Sequence, residues 1–397
     1  MSISIVAPYS GLKVLDLSQG IAGPYCAMIL LESGAEVIKV EPPTGDWGRN
    51  IGIQVDGMNS LSIAYNLGKR SICIDASKEH GRALMHQLAL QADVVIESFR
   101  PGVTKRLGLS YDELSKKRPD LVYVSVTAFG ADGPYAMRPG SDSTLQAMSG
   151  MMVVNKDANQ NPRKVGILLV DITTGIYAAQ AVGAALYNRA INGKGARVEV
   201  SLLDAAAAIQ SGAIVDEALS EGNVSQPLSV PAGTFATQDG HINVTSLHDR
   251  MFIGLCHAIE KNEWIADKRF STAAHRFSYA DEINSALKHI FYSKTTAYWI
   301  ETLNKHGVVC GKVSGYSDFL EDPHVAHRQI FKQSGMNGPH NVRVARVPGT
   351  PRENTGKRAP RQGEDTREIL SQFGFSEKQQ QELFDSGAVS AWQDTSK

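Results

Sequence analysis

Short apolar runs alternate with longer segments of helical spacing through the first third of the chain. Apolar and β-branched residues dominate the short runs, so we predict that these runs form strands. Strands that alternate with helices predict an α/β fold with a mostly parallel, doubly wound sheet. The predicted strands are Lys13 to Gln19, Glu36 to Glu41, Arg70 to Asp75, Asp93 to Phe99 and Leu121 to Thr127.

The loops that follow these strands are the expected place for a ligand. In doubly wound sheets ligands bind beyond the carboxyl ends of the strands, where the segments 19–24, 98–102 and 128–141 are expected. The first of these loops contains Gly20 and Gly23 but lacks the GxGxxG spacing. A dinucleotide cofactor is therefore not supported.

Asp171 separates the apolar run 165–170 from an alanine-rich segment, 172–189, that has helical spacing. Aspartate is a preferred N-cap, so we predict that Asp171 starts a helix. The positive end of the helix dipole favours its ionised carboxylate. From this pattern alone, a structural cap is a better interpretation than a catalytic residue.

Composition narrows the class of protein. The 397 residues carry a formal net charge of −1, which does not indicate a nucleic-acid partner. The four cysteines are scattered and form no CxxC pair, as expected for free thiols in a reducing compartment. Neither a signal peptide nor a run of about 20 apolar residues is recognisable. We therefore expect a cytoplasmic protein without a membrane partner.

Few side chains are arranged for metal binding or hydrolysis. His324 and His327 are three residues apart without an obvious carboxylate partner, so we predict no metal site. The sequence contains no P-loop and no GxSxG motif. Basic residues near the strand-end loops are candidates for binding phosphates, although each one alone is better interpreted as a surface charge. These residues are Lys69, Arg70, Arg100, Arg106 and Arg138.

Ordered sequence motifs lie along nearly the whole chain. They are found at 11–17, 22–24, 34–41, 66–71, 92–103, 106–108, 129–130, 193–195, 200–205 and 231–235. Each motif alone has low specificity, but together, in this number and order, they strongly resemble those of the class III CoA-transferases. This family includes formyl-CoA transferase and carnitine CoA-transferase, and also alpha-methylacyl-CoA racemase.

The resemblance implies that Asp171 is the nucleophile that accepts an acyl group and then CoA. Asp142 is a possible auxiliary residue, and an N-cap of the helix that begins at Ser143 is an equal alternative. The racemase branch has a histidine before this aspartate, where the chain has Ser141. Without that histidine, a two-base proton transfer lacks a partner, which favours transfer over racemisation.

The resemblance also implies contacts to CoA, which is expected as a substrate thioester and not as a permanently bound cofactor. Formyl-CoA transferase has a glutamine at the position of Ile21 and a glycine-rich lid that has no counterpart near 246–250. An oxalate-type substrate is therefore disfavoured. The implied CoA contacts are Gly20, Ile21, Ala22, Lys69, Ser98, Phe99, Arg100, Arg106 and Arg138.

For the fold, the resemblance implies a Rossmann-like large domain, a smaller α+β domain and an interlocked homodimer. We predict the large domain at 1–200, completed by 335–397, and the small domain at 225–318. The linkers are expected at 201–224 and 319–334, where the chain has long connections without a strong hydrophobic period.

The expected substrates are an acyl-CoA and a free carboxylic acid. Three cationic residues, Arg49, Arg70 and Arg250, motivate a dicarboxylate exchange between succinyl-CoA and an acceptor such as itaconate, mesaconate or glutarate. Two alternatives remain at this point. One is a 2-methylacyl-CoA racemase or epimerase, and the other is a catalytically silent CoA-binding protein.

Overall fold

A seven-stranded sheet is the largest feature of the computed structural model, which describes residues 7–157, 159–220, 229–351 and 357–393. In chain order its strands are β1 Lys13–Asp16, β2 Glu36–Glu41, β3 Arg70–Ile74, β4 Val94–Glu97, β5 Val122–Thr127, β6 Ala196–Ser201 and β7 Val389–Ser390. Across the sheet the strands lie in the order β7-β3-β2-β1-β4-β5-β6. The strands β1 to β6 run parallel, and β7 pairs antiparallel with β3.

The predicted large parallel sheet is confirmed, with small differences in strand length. The first strand ends at Asp16 and not at Gln19, because the chain leaves the sheet to form the turn at Gly20. The edge strand β7 has only two residues, too few for a hydrophobic period to reveal it.

Helices cover both faces of the sheet. Side chains of adjacent residues on one strand point to opposite faces, and Val14 and Leu15 accordingly belong to two separate apolar clusters. The helices of this unit are Ala22–Glu32, Ser60–Asn66, Glu79–Gln91, Val103–Arg106, Tyr111–Leu114, Asp142–Met148, Met151–Val154, Leu169–Asn192, Leu202–Ala208, Thr366–Gln372 and Glu377–Asp385, with short 3-10 turns at Trp47–Asn50 and Gly338–His340. Short strand pairs join Gln54–Val55 to Met58–Asn59 and Phe331–Gln333 to Arg343–Ala345.

The longest of the described helices, Leu169–Asn192, carries Asp171. Its buried side chains, among them Val170, Ala178 and Val182, pack in the core on one face of the sheet. By length and composition this helix could cross a membrane, but its place in the core already accounts for its apolar face. The prediction that Asp171 is the N-cap is wrong, because the helix begins two residues earlier and Asp171 lies in its first turn.

The second compact unit comprises residues 213–328. Its three-stranded antiparallel sheet has His241–Thr245 in the centre, flanked by Ala232–Ala236 and Val309–Lys312. Phe252, Phe291 and Trp299 lie in its apolar core. Its remaining elements are Asp249–Ala258, Glu263–Ala266, Ala273–Ser278, Ala280–Tyr292, Thr296–Lys305, Tyr316–Glu321 and Pro323–His327, and a 3-10 turn at Lys268–Phe270.

Both segments predicted as linkers contain regular structure. Helices Leu202–Ala208 and Ser211–Leu219 occupy most of 201–224, of which the residues from 221 on lie outside the described part of the chain. The segment 319–334 contains the helix Pro323–His327 and the strand Phe331–Gln333. Such short elements have too few turns to show a hydrophobic period. The first unit resumes at Gln329, so both ends of the chain contribute to it.

Candidate active site

A cavity of about 370 Å³ lies at the point where the strand order reverses. β1 and β4 are neighbours in the sheet, and their connections leave in opposite directions, which opens a crevice at their carboxyl ends. The three loops predicted for ligand binding all contribute to its wall. The lining residues are Gln19, Ile21, Ala22, Gly23, Trp47, Ser98, Phe99, Arg100, Pro101, Val126, Thr127, Ala128, Ala136, Arg138, Pro139, Gly140, Ser141, Asp171 and Leu202.

Asp171 lines this cavity from the first turn of its helix. Burial and the negative charge of Asp142 raise the pKa of the Asp171 carboxyl group to about 7. Both effects disfavour the ionised form. At neutral pH the group is therefore divided between its acid and its carboxylate, and the carboxylate is more basic and more nucleophilic than an ordinary one.

Asp142 caps the helix that carries Asp171. Its Oδ2 accepts hydrogen bonds from the backbone N–H groups of Val170, at 2.7 Å, and Asp171, at 3.2 Å. The N-cap of Asp142's own helix is Ser141, so the alternative prediction that Asp142 is that N-cap is wrong. Because Asp142 occupies these two amides, they are not available to stabilise a developing oxyanion.

The Gly20 turn is held by a segment for which no role was predicted. Oδ1 of Asp46 accepts hydrogen bonds from the N–H groups of Gly20 and Gly48, both at 2.8 Å. Lys39 forms an ion pair with the same carboxylate, with Nζ at 2.7 Å from Oδ2. A Cβ atom on Gly20, whose φ is +80°, would lie 2.0 Å from the Trp47 ring, so this position requires glycine.

Trp47 is a wall residue that the sequence analysis did not identify. Its side chain is 49% exposed, lines the cavity and lies against the Gly20 turn. It follows Pro42 and Pro43 in a stretch without hydrophobic period. Its place shortly after the predicted strand Glu36 to Glu41 was a signal that could have suggested it, because ligands bind beyond the carboxyl ends of such strands.

Lys69 does not line the cavity, although the resemblance implied that it contacts CoA. Its Nζ is buried and lies 2.8 Å from Asp16 Oδ2, 2.8 Å from the carbonyl oxygen of Pro24 and 2.9 Å from Asn66 Oδ1. Burial lowers the pKa of Lys69 to about 8, although the negative charge of Asp16 acts in the other direction and raises it. Lys69 therefore links β1 to the helix that follows the Gly20 turn.

The arginines near the site differ in whether they are paired, line the cavity or lie outside it. Arg49 is buried and its Nη2 lies 2.7 Å from Glu41 Oε1, so it is not available for a second carboxylate of a substrate. Arg100 and Arg138 line the cavity, and the guanidinium carbon of Arg138 lies 3.8 Å from the centre of the Tyr135 ring. Arg106 is exposed on the helix Val103–Arg106 and is not among the lining residues.

The remaining predicted contacts lie at the same cavity. Ile21, Ala22, Ser98 and Phe99 line it, and Ser98 Oγ accepts a hydrogen bond of 3.0 Å from the Gln19 N–H. Within the described ranges, no three His, Cys, Asp or Glu side chains form a group suited to a metal ion.

Comparison with protein families gives one match over most of the chain. The model of "CoA-transferase family III" matches residues 9–366. A probable fatty acyl-CoA transferase from Mycobacterium tuberculosis, Rv3272, is 32% identical over 86% of the chain and 91% of its own length. An acetyl-CoA:oxalate CoA-transferase from Acetobacter aceti is 33% identical over 93% and 97%. A succinate–glutarate CoA-transferase from Agrobacterium fabrum is 33% identical over 81% and 84%.

Comparison with solved structures agrees with this match. A crystal structure of a CaiB/BaiF family protein from Brucella suis superposes with a TM-score of 0.82. Its sequence is 31% identical, and the match covers 92% of the chain and 99% of the Brucella protein. The likeness therefore is not confined to the parallel sheet.

Proposed function

The chain belongs to CoA-transferase family III, and from this premise we propose that it moves CoA from an acyl-CoA to a free carboxylic acid through an aspartyl-CoA thioester on Asp171. The observation that carries the proposal is the Asp171 carboxyl group, which lines the cavity at the strand reversal and has a pKa raised to about 7. A nucleophile whose pKa is near neutral is both partly ionised and strongly basic under working conditions.

In the first half of the proposed reaction, a carboxylate oxygen of Asp171 attacks the thioester carbonyl carbon. The C–S bond breaks, giving a mixed anhydride on Asp171 and CoA thiolate. The thiolate then attacks the Asp171 carbonyl carbon of the anhydride, which forms the aspartyl-CoA thioester and releases the first acid as a carboxylate. Covalent capture divides one difficult exchange into several easier steps.

In the second half, the same steps occur in reverse order, with the acceptor carboxylate in place of the first acid. The acceptor carboxylate attacks the aspartyl thioester and displaces CoA thiolate, and a new anhydride forms between the acceptor and Asp171. The thiolate attacks the acceptor carbonyl carbon of this anhydride, which gives the new acyl-CoA and regenerates the Asp171 carboxylate. No external base or redox partner is needed, because every leaving group is reused or released.

The helix Ala22–Glu32 offers the best backbone donors for the oxyanions of this reaction. Its N-cap, Ile21, provides no side-chain hydrogen bond, and Ile21, Ala22 and Gly23 line the cavity. The first N–H groups of a helix and the positive end of its dipole favour a negatively charged oxygen. We therefore assign the oxyanion site to the backbone of this turn.

The CoA phosphates are assigned to the cationic side of the cavity. Arg100 and Arg138 line it, and Arg106 lies in the next helix along the chain. A second, apolar cavity of about 70 Å³ shares Gln19 and Phe99 with the main one. This arrangement supports a CoA molecule that lies across the Ser98–Arg100 loop, with its thioester end towards Asp171.

For the substrates we propose succinyl-CoA as the donor and a dicarboxylate such as glutarate, mesaconate or itaconate as the acceptor. The support is the similarity to the succinate–glutarate CoA-transferase and the presence of Arg138 in the cavity wall. The ion pair of Arg49 with Glu41 removes one of the three arginines that first suggested this class. A second relative acts on oxalate, so this acid belongs in the test as well.

We propose a homodimer as the working unit. The support is the number of large apolar side chains exposed on the Asp171 helix, among them Ile176, Tyr187 and Ile191. A group of exposed apolar residues on one element is typical of a protein–protein interface.

An acceptor screen tests the proposed transfer. The purified protein is incubated with succinyl-CoA or acetyl-CoA and with glutarate, mesaconate, itaconate or oxalate, and the CoA products are identified by mass spectrometry. We expect a new acyl-CoA in amounts equal to the donor consumed. The variant Asp171→Asn should lose about a thousandfold in rate, as expected when a covalent nucleophile is removed.

The matched control is Asp112→Asn, which changes an exposed aspartate in the first turn of the helix Tyr111–Leu114 and should leave the rate unchanged. Full transfer activity in Asp171→Asn would contradict the proposal. Exchange of deuterium from solvent into a 2-methylacyl-CoA without any acceptor acid would favour the racemase instead.

A further inference from the structure

We infer that Gln146 is a positioning residue that holds Asp142 against the first turn of the helix carrying Asp171. The inference rests on the proposed role of Asp171 as the nucleophile. Gln146 does not line the cavity, and it acts through its hydrogen bond to Asp142 and through the segment that leads into the Asp171 helix.

Gln146 is fully buried and joins two separate segments. Its Nε2 donates a hydrogen bond of 2.7 Å to Asp142 Oδ1, one turn earlier on the helix Asp142–Met148. Its Oε1 accepts a hydrogen bond of 2.8 Å from the N–H of Val165, in the segment that leads into the Asp171 helix. A longer contact of 3.4 Å runs from Nε2 to the Ile167 carbonyl oxygen.

Both oxygens of Asp142 are engaged as a result. Oδ1 faces Gln146, and Oδ2 faces the amides of Val170 and Asp171. Only 4% of Asp142 is exposed. The carboxylate of Asp142 therefore cannot rotate away from the helix while Gln146 is in place, and its negative charge stays next to Asp171.

The other titratable groups around Asp171 do not replace this charge. Tyr65 interacts electrostatically with Asp171, and the pKa of Tyr65 is raised mainly by burial, so its phenol stays neutral. Tyr25 packs edge-on against Tyr65, with ring centres 5.5 Å apart, and burial likewise raises its pKa. Arg100 and Arg138 line the same cavity but carry charge of the opposite sign.

Substitution of Gln146 by leucine distinguishes its role in positioning Asp142 from its role in filling space in the core. Gln146→Leu keeps a similar volume but removes both hydrogen bonds, which frees Asp142 to turn away from Asp171. We expect the pKa of Asp171 to fall, so the acidic limb of the kcat/KM profile moves to lower pH. We also expect kcat to fall about tenfold through misplacement of the nucleophile, with the KM for acyl-CoA unchanged.

Substitution by glutamate gives a conditional rescue. In Gln146→Glu the new carboxyl group can donate to Asp142 only while it is protonated, because two carboxylates at this distance cannot both be ionised. We expect activity close to that of the unsubstituted protein at low pH and a loss as the pH rises. A residue with a purely structural role would not give this pH-dependent rescue.

The deciding measurement is a titration of the Asp171 carboxyl carbon by NMR in ¹³C-aspartate-labelled protein, assigned with Asp171→Asn. This readout does not depend on turnover. A lower Asp171 pKa in Gln146→Leu supports the inference even if no acceptor acid gives transfer, and in that case the proposed function fails alone. An unchanged titration in both Gln146 variants, with transfer intact in the parent, overturns the inference and leaves the function standing.

Discussion

Asp171 is held in an environment that opposes its ionisation. Burial and the nearby charge of Asp142 both raise its pKa, and no cation forms an ion pair with it among the contacts of the described residues. The same Asp142 carboxylate stabilises the helix by accepting hydrogen bonds from two amides of its first turn. One residue thus supports the element that carries the nucleophile and makes the nucleophile more basic, at some cost in folding stability at neutral pH.

This cost predicts how stability depends on pH. The folded-state pKa of Asp171, about 7, lies above its ordinary value of 3.8, so between these values the native state binds more protons than the unfolded state. The resulting stabilisation is complete below the ordinary value and is lost as the pH rises through about 7. Asp171→Asn removes this dependence, so it should gain stability over the parent as the pH rises from 5 to 8, by at most about 3 kcal/mol.

Urea unfolding of both proteins at pH 5 and pH 8 measures this difference. Asp112→Asn serves as the control, because its exposed carboxyl group has no such environment. A constant difference in the free energy of unfolding between Asp171→Asn and the parent at the two pH values would contradict the raised pKa.

At the level of single residues, sequence reasoning placed Asp171 at the start of a helix and named Asp142 as a possible auxiliary residue, but it did not predict that Asp142 caps this helix. The cap on that helix comes from Asp142, which lies 29 residues earlier in the chain. Local N-cap patterns describe residues adjacent to the helix, so a cap supplied from another helix follows only from the tertiary structure. Lys69 and Arg49 form buried ion pairs with Asp16 and Glu41, which the sequence did not predict, because charge alone does not reveal a buried partner.

At the level of elements, the close approach of two helices brings Asp171 to the cavity. The helices Ala22–Glu32 and Leu169–Asn192 pack together, and a Cβ atom on Gly175 would lie 2.7 Å from the carbonyl oxygen of Ala22 and 3.1 Å from the Tyr25 ring. Gly175 therefore sets the spacing between the proposed oxyanion turn and the proposed nucleophile. The sequence showed small residues on this helix but not which one faces a neighbour.

Substitution at Gly175 tests this spacing. Alanine is the better helix former, by about 1 kcal/mol in an open site, yet Gly175→Ala should destabilise the protein by about 1–3 kcal/mol because the added methyl group forces the helices apart. We also expect kcat for transfer to decrease. Thermal unfolding and steady-state kinetics provide the two measurements.

The matched control is Gly212→Ala, at a helical glycine whose added Cβ meets no atom within 4 Å. This substitution should be neutral or slightly stabilising. If Gly175→Ala proves as stable and active as Gly212→Ala, the proposed constraint between the two helices is wrong.

At the level of the whole molecule, the hydrophobic pattern predicted the parallel sheet well, because strands buried on both faces have continuous apolar runs in their sequence. The order of strands and the site at the reversal point follow from topology, which the pattern leaves open. The segment 42–50 shows the limit of this reasoning. Asp46 and Trp47 form part of the site, but their segment has neither a helical nor a strand period.

The exposed apolar side chains of the Asp171 helix lead to a prediction about assembly. Light scattering after size-exclusion chromatography should give twice the mass of one chain. Tyr187→Glu places a charge at a side chain that is 72% exposed in the single chain, and should shift the population towards the mass of one chain. A mass of one chain for the parent at every concentration would contradict the proposed homodimer.

The most direct test of the central claim is to trap the covalent intermediate. The protein is mixed with succinyl-CoA in the absence of an acceptor acid, quenched in acid, digested and examined by mass spectrometry. The account predicts CoA attached through a thioester to the peptide that contains Asp171, and no adduct in Asp171→Asn. CoA attached to a different residue, or rapid transfer without any adduct on Asp171, would contradict it.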